Sequence, residues 1–179
     1  MPYNSFANQE YRNALQSRLE IPALLRALPF AHGLRLLEAG CGRGVGLTEL
    51  ARRCRPSRLV GVDIARDLID LAKARLDHRG LSAELHVGDV RQLPFADGDF
   101  DVVIDFGTCY HIDKPGAALR EIARVLDAGG VFIHELPLAQ LIAHPLRSRG
   151  RRLPWSECAE LTAERRAGLW GSRRKAVVT

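Results

Sequence analysis

Four glycines, Gly40, Gly42, Gly44 and Gly46, occupy alternate positions in LLEAGCGRGVGLTEL, between an apolar strand-like run and a helix-like one. A chain that turns from strand to helix through residues without a Cβ exposes bare backbone at the positive end of the helix. Such a bend predicts a floor for a nucleotide-like cofactor, built from the backbone of Gly40, Cys41, Gly42 and Gly44. Dinucleotide binding requires G-x-G-x-x-G. Counted from Gly40, the third glycine position holds Val45, and counted from Gly42 it holds Leu47. The pattern is instead E-A-G-C-G-R-G, with Glu38 where the strand ends. A carboxylate there repels a pyrophosphate and suits a cationic amino or sulfonium group, which favours S-adenosylmethionine over NAD.

The run RLVGVDIA ends at Asp63, 25 residues after Glu38, one strand-helix-strand unit further on. A carboxylate at that tip can accept two hydrogen bonds from a ribose diol, and Ile64 beside it offers adenine an apolar face. Asp63 also suits the N-cap of a helix over IARDLIDLAKARL. A third strand ends at Gly88 and Asp89, where the carboxylate can meet the adenine amino group and the N–H of Val90 a ring nitrogen. Phe106 ends a fourth strand on the same edge.

The ordered segments E-A-G-C-G-R-G, V-G-V-D, G-D-V-x-x-L-P-F, D-G-x-F-D-V-V and R-V-L-D-A-G-G-V-F-I-H-E resemble the motifs of class I S-adenosylmethionine-dependent methyltransferases. The likeness is to the small-molecule branch that includes the ubiquinone and menaquinone C-methyltransferases, and it runs from about Leu36 to Glu135. It implies S-adenosylmethionine as cofactor, methyl transfer to a small-molecule acceptor, and an antiparallel hairpin closing one edge of the sheet.

Strands are predicted over Arg35–Ala39, Leu59–Asp63, Ala83–Val87, Asp101–Phe106 and Val131–Glu135. Helices are predicted over Asn8–Leu28, broken at Pro22 and facing inward through Leu15, Leu19, Leu24, Leu25 and Leu28, and over Val45–Arg53, Arg66–Arg79 and Pro115–Leu126. Gly80 and the Gly129–Gly130 pair lie past the ends of the last two. Strands alternating with helices predict an α/β fold, a Rossmann-like doubly wound, mostly parallel sheet with helices on both faces and its ligand at the carboxyl ends of the strands. For the tail, the resemblance favours a hairpin of Glu160–Arg165 and Leu169–Lys175 turning at Ala167–Gly168. A helix over Ser156–Arg166 is the alternative, because ECAELTAERR is rich in helix formers.

At 179 residues one domain is expected, with an N-terminal helical cap over 1–33, a cofactor-binding core over 34–136 and a short basic segment over 137–179. No apolar run approaches the roughly 20 residues that span a bilayer, and MPYNSFANQEYR lacks the pattern of a signal peptide. A cytoplasmic protein without membrane contact is expected. Cys41, Cys54, Cys109 and Cys158 form no C-x-x-C pair, and the six histidines show no metal spacing, so no metal is predicted. From Arg147 onward nine Arg or Lys face only Glu157, Glu160 and Glu164. Without aromatic interleaving, this basic tail reads as a solvated edge rather than a nucleic-acid surface.

A sulfonium makes its methyl group electrophilic unaided, so the protein must chiefly align a nucleophile and exclude water. His111, in D-F-G-T-C-Y-H-I just past the fourth strand, is the candidate general base for a phenol or enol, or else a histidine anchoring its loop. Tyr110, His134 and Glu135 are weaker candidates, and His134 alternates into a buried strand. Tyr3, Phe6, Tyr11 and Arg12 precede the sheet as a potential lid. Two other functions stay open: an NAD-dependent oxidoreductase, and a methyltransferase-like binding protein without catalysis. The accepting atom and the oligomeric state are not specified by the sequence.

Overall fold

A computed structural model describes residues 13–23, 33–135, 152–163 and 165–168 of the chain. Six strands, β1 (Arg35–Ala39), β2 (Arg58–Asp63), β3 (Glu84–Val87), β4 (Phe100–Asp105), β5 (Leu126–His134) and β6 (Arg166–Gly168), form one sheet in the order β3-β2-β1-β4-β5-β6. Every neighbouring pair is parallel. Helices α1 (Val45–Cys54), α2 (Arg66–Asp77) and α3 (Pro115–Val125) supply the crossovers. The α/β doubly wound fold is therefore present, and its central strands are near-continuous apolar runs because both sheet faces are covered.

Strand alternation divides the core into two layers. Leu37, Ala39, Val60, Val62, Val103 and Phe132 face α3 with Leu119 and Ile122. Leu36, Leu59, Val102, Ile104 and Ile133 face α1 and α2 with Leu47, Leu50, Ile69 and Leu76. The helix ends follow sequence chemistry. Pro115 opens α3, where its missing N–H costs nothing. Past α2, Gly80 takes a left-handed conformation while the N–H of Leu81 reaches back to Leu76 O at 3.0 Å.

The two edges of the sheet do different work. At the amino edge, Arg35 pairs with Asp101 at 2.7 Å, and Arg58 with Asp99 at 2.7 Å and Glu84 at 2.9 Å. These pairs tie β1 to β4 and β2 to β3, leaving the carboxyl edge to the loops that carry the chemistry.

Four expectations need correction. The tail does not form the antiparallel hairpin: residues 160–163 form no strand, and the expected turn at Ala167–Gly168 lies within strand β6 (Arg166–Gly168), which runs parallel to β5. Leu153, Cys158 and Leu161 are buried against the α3 layer, so the chain crosses that face before returning to the edge, and a crossover of this kind produces a parallel pairing. Nor is there a helix from Ser156 through residue 163; a 3-10 turn at Trp155–Glu157 is followed by extended backbone at Cys158. β5 begins at Leu126, directly after α3, and its pairing with β4 slips between Phe100 and Val102 to take up the exposed segment Asp127–Gly129. Finally, residues 13–23 continue through Pro22 as a helix, with a π turn at Gln16–Glu20. The wider turn rotates the buried face, so Gln16, Glu20 and Ile21 are buried while Leu19 is 53% exposed. Leu15 is half-buried, whereas Leu24, Leu25 and Leu28, the segment Leu169–Lys175 and the lid residues Tyr3, Phe6, Tyr11 and Arg12 lie outside the described residues.

Leu37 is fully buried in β1 and Leu71 on α2 is 46% exposed. Leu37→Ala is expected to cost about 2–5 kcal/mol in urea unfolding, and Leu71→Ala to stay within about 0.5 kcal/mol of the parent.

Candidate functional site

The bend after β1 is fastened to the tip of β2. The N–H groups of Gly40 and Cys41 both donate to Val62 O, at 2.8 and 2.9 Å, and the N–H of Gly42 donates to the Asp63 carboxylate at 2.9 Å. Gly40 has φ of +75°, and a Cβ there would run into the side chain of Thr108, so the loop after β4 closes directly on the glycine bend. Gly46, in the first turn of α1, faces Glu38, and a Cβ at Gly46 would fall on that carboxylate. Glu38 is 1% exposed, held where a helix N-terminus favours negative charge. The alternation of glycines pointed to Gly46 without a role; its role is to give the Glu38 carboxylate its space.

Asp63 does not cap α2, whose N-cap is Ala65 with no side-chain cap bond. One Asp63 oxygen takes the N–H of Ala65 at 3.0 Å and the other that of Gly42, an Asx turn that also braces the loop. Beside it Ile64 is 50% exposed, and Val87, the register partner of Asp63 on β3, is 40% exposed. Val87 was not among the residues singled out from sequence; only strand pairing brings it next to Ile64. Asp89 receives a fork from Arg91 at 2.6–3.0 Å and the Arg91 N–H at 2.9 Å, and these bonds hold its pKa below the usual carboxylate range. Val90 is buried behind it, and Phe106 packs half-buried on the α1 and α2 layer. Arg91 is another residue the sequence reading passed over, although the D-V-R spacing permits this ring.

At the end of β4, Asp105 is fully buried and accepts the N–H groups of Thr108 and of Cys109, the latter at 3.1 Å. Burial pushes its pKa up, against the lowering effect of those bonds. The Tyr110 hydroxyl donates to the carbonyl of Glu135 at 2.8 Å, joining the loop after β4 to the end of β5. His111 is exposed on this loop, its N–H bonded to Thr108 O at 2.9 Å. His134 is 8% exposed, donates from Nδ1 to Glu135 O at 2.8 Å and packs against Trp155 with ring centroids 4.8 Å apart. Burial pushes its pKa down, so it stays neutral as a core residue. All four cysteines are buried free thiols; burial raises Cys41 and Cys109, and takes Cys54 up to about 11, which leaves them poor nucleophiles. Among the described residues no group of three His, Cys, Asp or Glu could hold a metal.

A parallel doubly wound sheet with an acid at the first strand tip, a glycine bend and a second acid on the neighbouring strand defines a Rossmann-like α/β protein. The sequence profile of the methyltransferase domain matches residues 37–134. The chain belongs to this family, and its fold is that of the class I S-adenosylmethionine-dependent methyltransferases. The fatty-acid O-methyltransferase of Mycolicibacterium smegmatis is 39% identical over 102 residues, 57% of this chain and 36% of that protein. The phthiotriol/phenolphthiotriol dimycocerosates methyltransferase of Mycobacterium tuberculosis is 34% identical over 129 residues, 67% of this chain and 47% of that protein. The chain thus spans about a third to a half of the length of these relatives. The solved PH0226 protein of Pyrococcus horikoshii is 31% identical with a TM-score of 0.63, covering 78% of this chain and 65% of that one.

Gly46→Ala is expected to lose about 1–3 kcal/mol through overpacking on Glu38. The added Glu38→Ala should recover part of that loss, a favourable coupling readable in a double-mutant cycle by urea unfolding. Because burial lifts Asp105 above its unfolded pKa, the stability this group confers is complete below the ordinary carboxylate pKa and declines as pH rises through its folded value. Asp105→Asn cannot ionise and should therefore gain on the parent between about pH 4 and pH 7. Urea midpoints of both proteins at the two pH values check this.

Proposed function

We propose that this chain binds S-adenosylmethionine along the carboxyl edge of β1–β4 and transfers its methyl group to a small-molecule acceptor. The observation that carries the reading is the Glu38 carboxylate lodged over Gly46 beside a glycine bend that Asp63 holds in place. The residues present suit the group. Glu38 would face the cationic methionine end, Asp63 retains lone pairs for a ribose diol beyond its two backbone bonds, and Ile64 with Val87 would flank the adenine. Asp89 and Val90 would meet its polar edge, Phe106 would close the far side, and the backbone of Gly40, Cys41, Gly42 and Gly44 would form the floor. When bound, S-adenosylmethionine supplies a sulfonium-activated methyl group. The chain's own part is to orient the acceptor and, where the acceptor carries a proton, to remove it. His111, exposed on the loop that abuts Gly40, is the proposed general base. His134 is excluded from that part by its burial and by the committed Nδ1.

The acceptor belongs to the small-molecule branch in this reading. The motifs resemble the quinone C-methyltransferases, while the relatives named above act, by their names, on fatty acids and on phthiotriol dimycocerosates. A cytoplasmic setting is part of the same proposal, supported by four cysteines kept as free thiols; no helix among the described residues is long and apolar enough to cross a membrane.

Isothermal calorimetry should give saturable heat with S-adenosylmethionine and with its demethylated product, and none with NAD; heat with NAD alone overturns the reading. Asp63→Ala is expected to weaken S-adenosylmethionine roughly 10- to 100-fold, the equivalent of about 1.5–3 kcal/mol for bonds to a charged group. Once an acceptor is in hand, His111→Ala should lower kcat by about 10²- to 10⁴-fold with unchanged cofactor affinity. An unchanged kcat would make His111 a loop anchor.

A further inference from the structure

A cleft of about 260 Å³ lies just past the end of β4, lined by Cys109, Tyr110, Ile112, Pro115, Arg152 and Leu153. Its place in the fold is set by two contacts. Cys109 follows Thr108, whose side chain abuts Gly40, and the Tyr110 hydroxyl is bonded to the carbonyl of Glu135 at the end of β5. One wall is therefore the loop after β4 with Pro115 at the start of α3, and the other is the tail segment at Arg152 and Leu153. His111 sits between two lining residues without lining the cleft itself.

The walls supply little polarity. Tyr110 has already committed its hydroxyl, and Cys109 is 1% exposed with its thiol held protonated by burial. The one charge is the Arg152 guanidinium. The other described arginines of the tail are engaged: Arg165 donates to Asp127 O at 2.8 Å and to Gly130 O at 3.3 Å, and Arg166 lies 4.3 Å from the Trp155 ring centroid. Arg152 is exposed at the cleft and has no ion-pair partner among the described residues.

We propose that this cleft receives the apolar body of the methyl acceptor and that Arg152 pairs with a carboxylate on it, so that the acceptor is a small amphiphilic carboxylic acid. The inference rests on the methyl-transfer reading of the same site. A guanidinium matches a carboxylate with two parallel N–H bonds. The volume of about 260 Å³ falls just below the roughly 300–1,000 Å³ typical of ligand pockets, which limits the enclosed part to a short chain or one ring. A neutral amphiphile leaves Arg152 without its anion, and a small hydrophilic acid leaves the apolar walls unfilled.

Hexanoate, hexanol, hexyl phosphate and acetate, titrated with and without S-adenosylhomocysteine, test this through the methyl NMR shifts of Ile112 and Leu153. Hexanoate is expected to move both signals to saturation, with hexanol and acetate at least about tenfold weaker. Arg152→Gln should weaken hexanoate about tenfold, and Arg152→Lys should keep part of the response; both should leave the calorimetric affinity for S-adenosylmethionine unchanged. Hexanol binding as well as hexanoate, hexyl phosphate binding alone, absent shifts, or an unaltered response in Arg152→Gln would each overturn the assignment. Cofactor heat is a separate readout: its absence sinks the methyl-transfer reading, whereas normal heat without hexanoate shifts sinks only the carboxylate pocket.

Discussion

Two N–H groups on one carbonyl, Gly40 and Cys41 on Val62 O, hold the bend on which the carboxyl edge of this protein depends. They fix the end of β1 against the end of β2 and present the N–H of Gly42 to Asp63. Once the bend is placed, α1 must start over Glu38, because only a glycine in its first turn leaves room for that carboxylate. The loop after β4 must then rest on Gly40, since Thr108 occupies the space a side chain would need. A buried acid, a braced acid and a loop bearing His111 are brought together by these contacts.

Charge is sorted between the two edges of the sheet. At the amino edge, arginines and carboxylates neutralise one another in partly exposed pairs, individually modest in a solvated setting. At the carboxyl edge, Glu38, Asp63, Asp105 and Glu135 are buried. For Asp63 and Asp105 the partners shown are backbone N–H groups rather than cations. The same sorting accounts for the basic tail: its described arginines turn to backbone carbonyls, to an indole face and to the rim of the cleft.

Much of this was readable from residue order. The strand tips at Glu38, Asp63 and Asp89 follow from apolar runs that stop at an acid, and the α/β alternation from the spacing of those runs. Asp63 was legible as an acid at a strand tip but not in its local role, because an N-cap and an Asx turn use the same side chain and differ only in which N–H it meets. Val87 and Arg91 escaped notice since their relevance comes from a neighbour across the sheet or from a side chain folding back. The tail was misread for a related reason. The hairpin came from family resemblance and the rival helix from local helix formers, whereas Leu153, Cys158 and Leu161 are fixed by burial against α3, a contact invisible to both.

The sequence by itself determined the parallel α/β architecture, the glycine bend and the acids at three strand tips, because hydrophobic periodicity and the absence of a Cβ act within a few residues of chain. Only the tertiary structure decided the direction of β6, the contact of His134 with Trp155, the packing of Glu38 on Gly46 and the cleft between the loop after β4 and the tail. Each of these is a contact between segments far apart in sequence, where the space left by one element sets what the other can do.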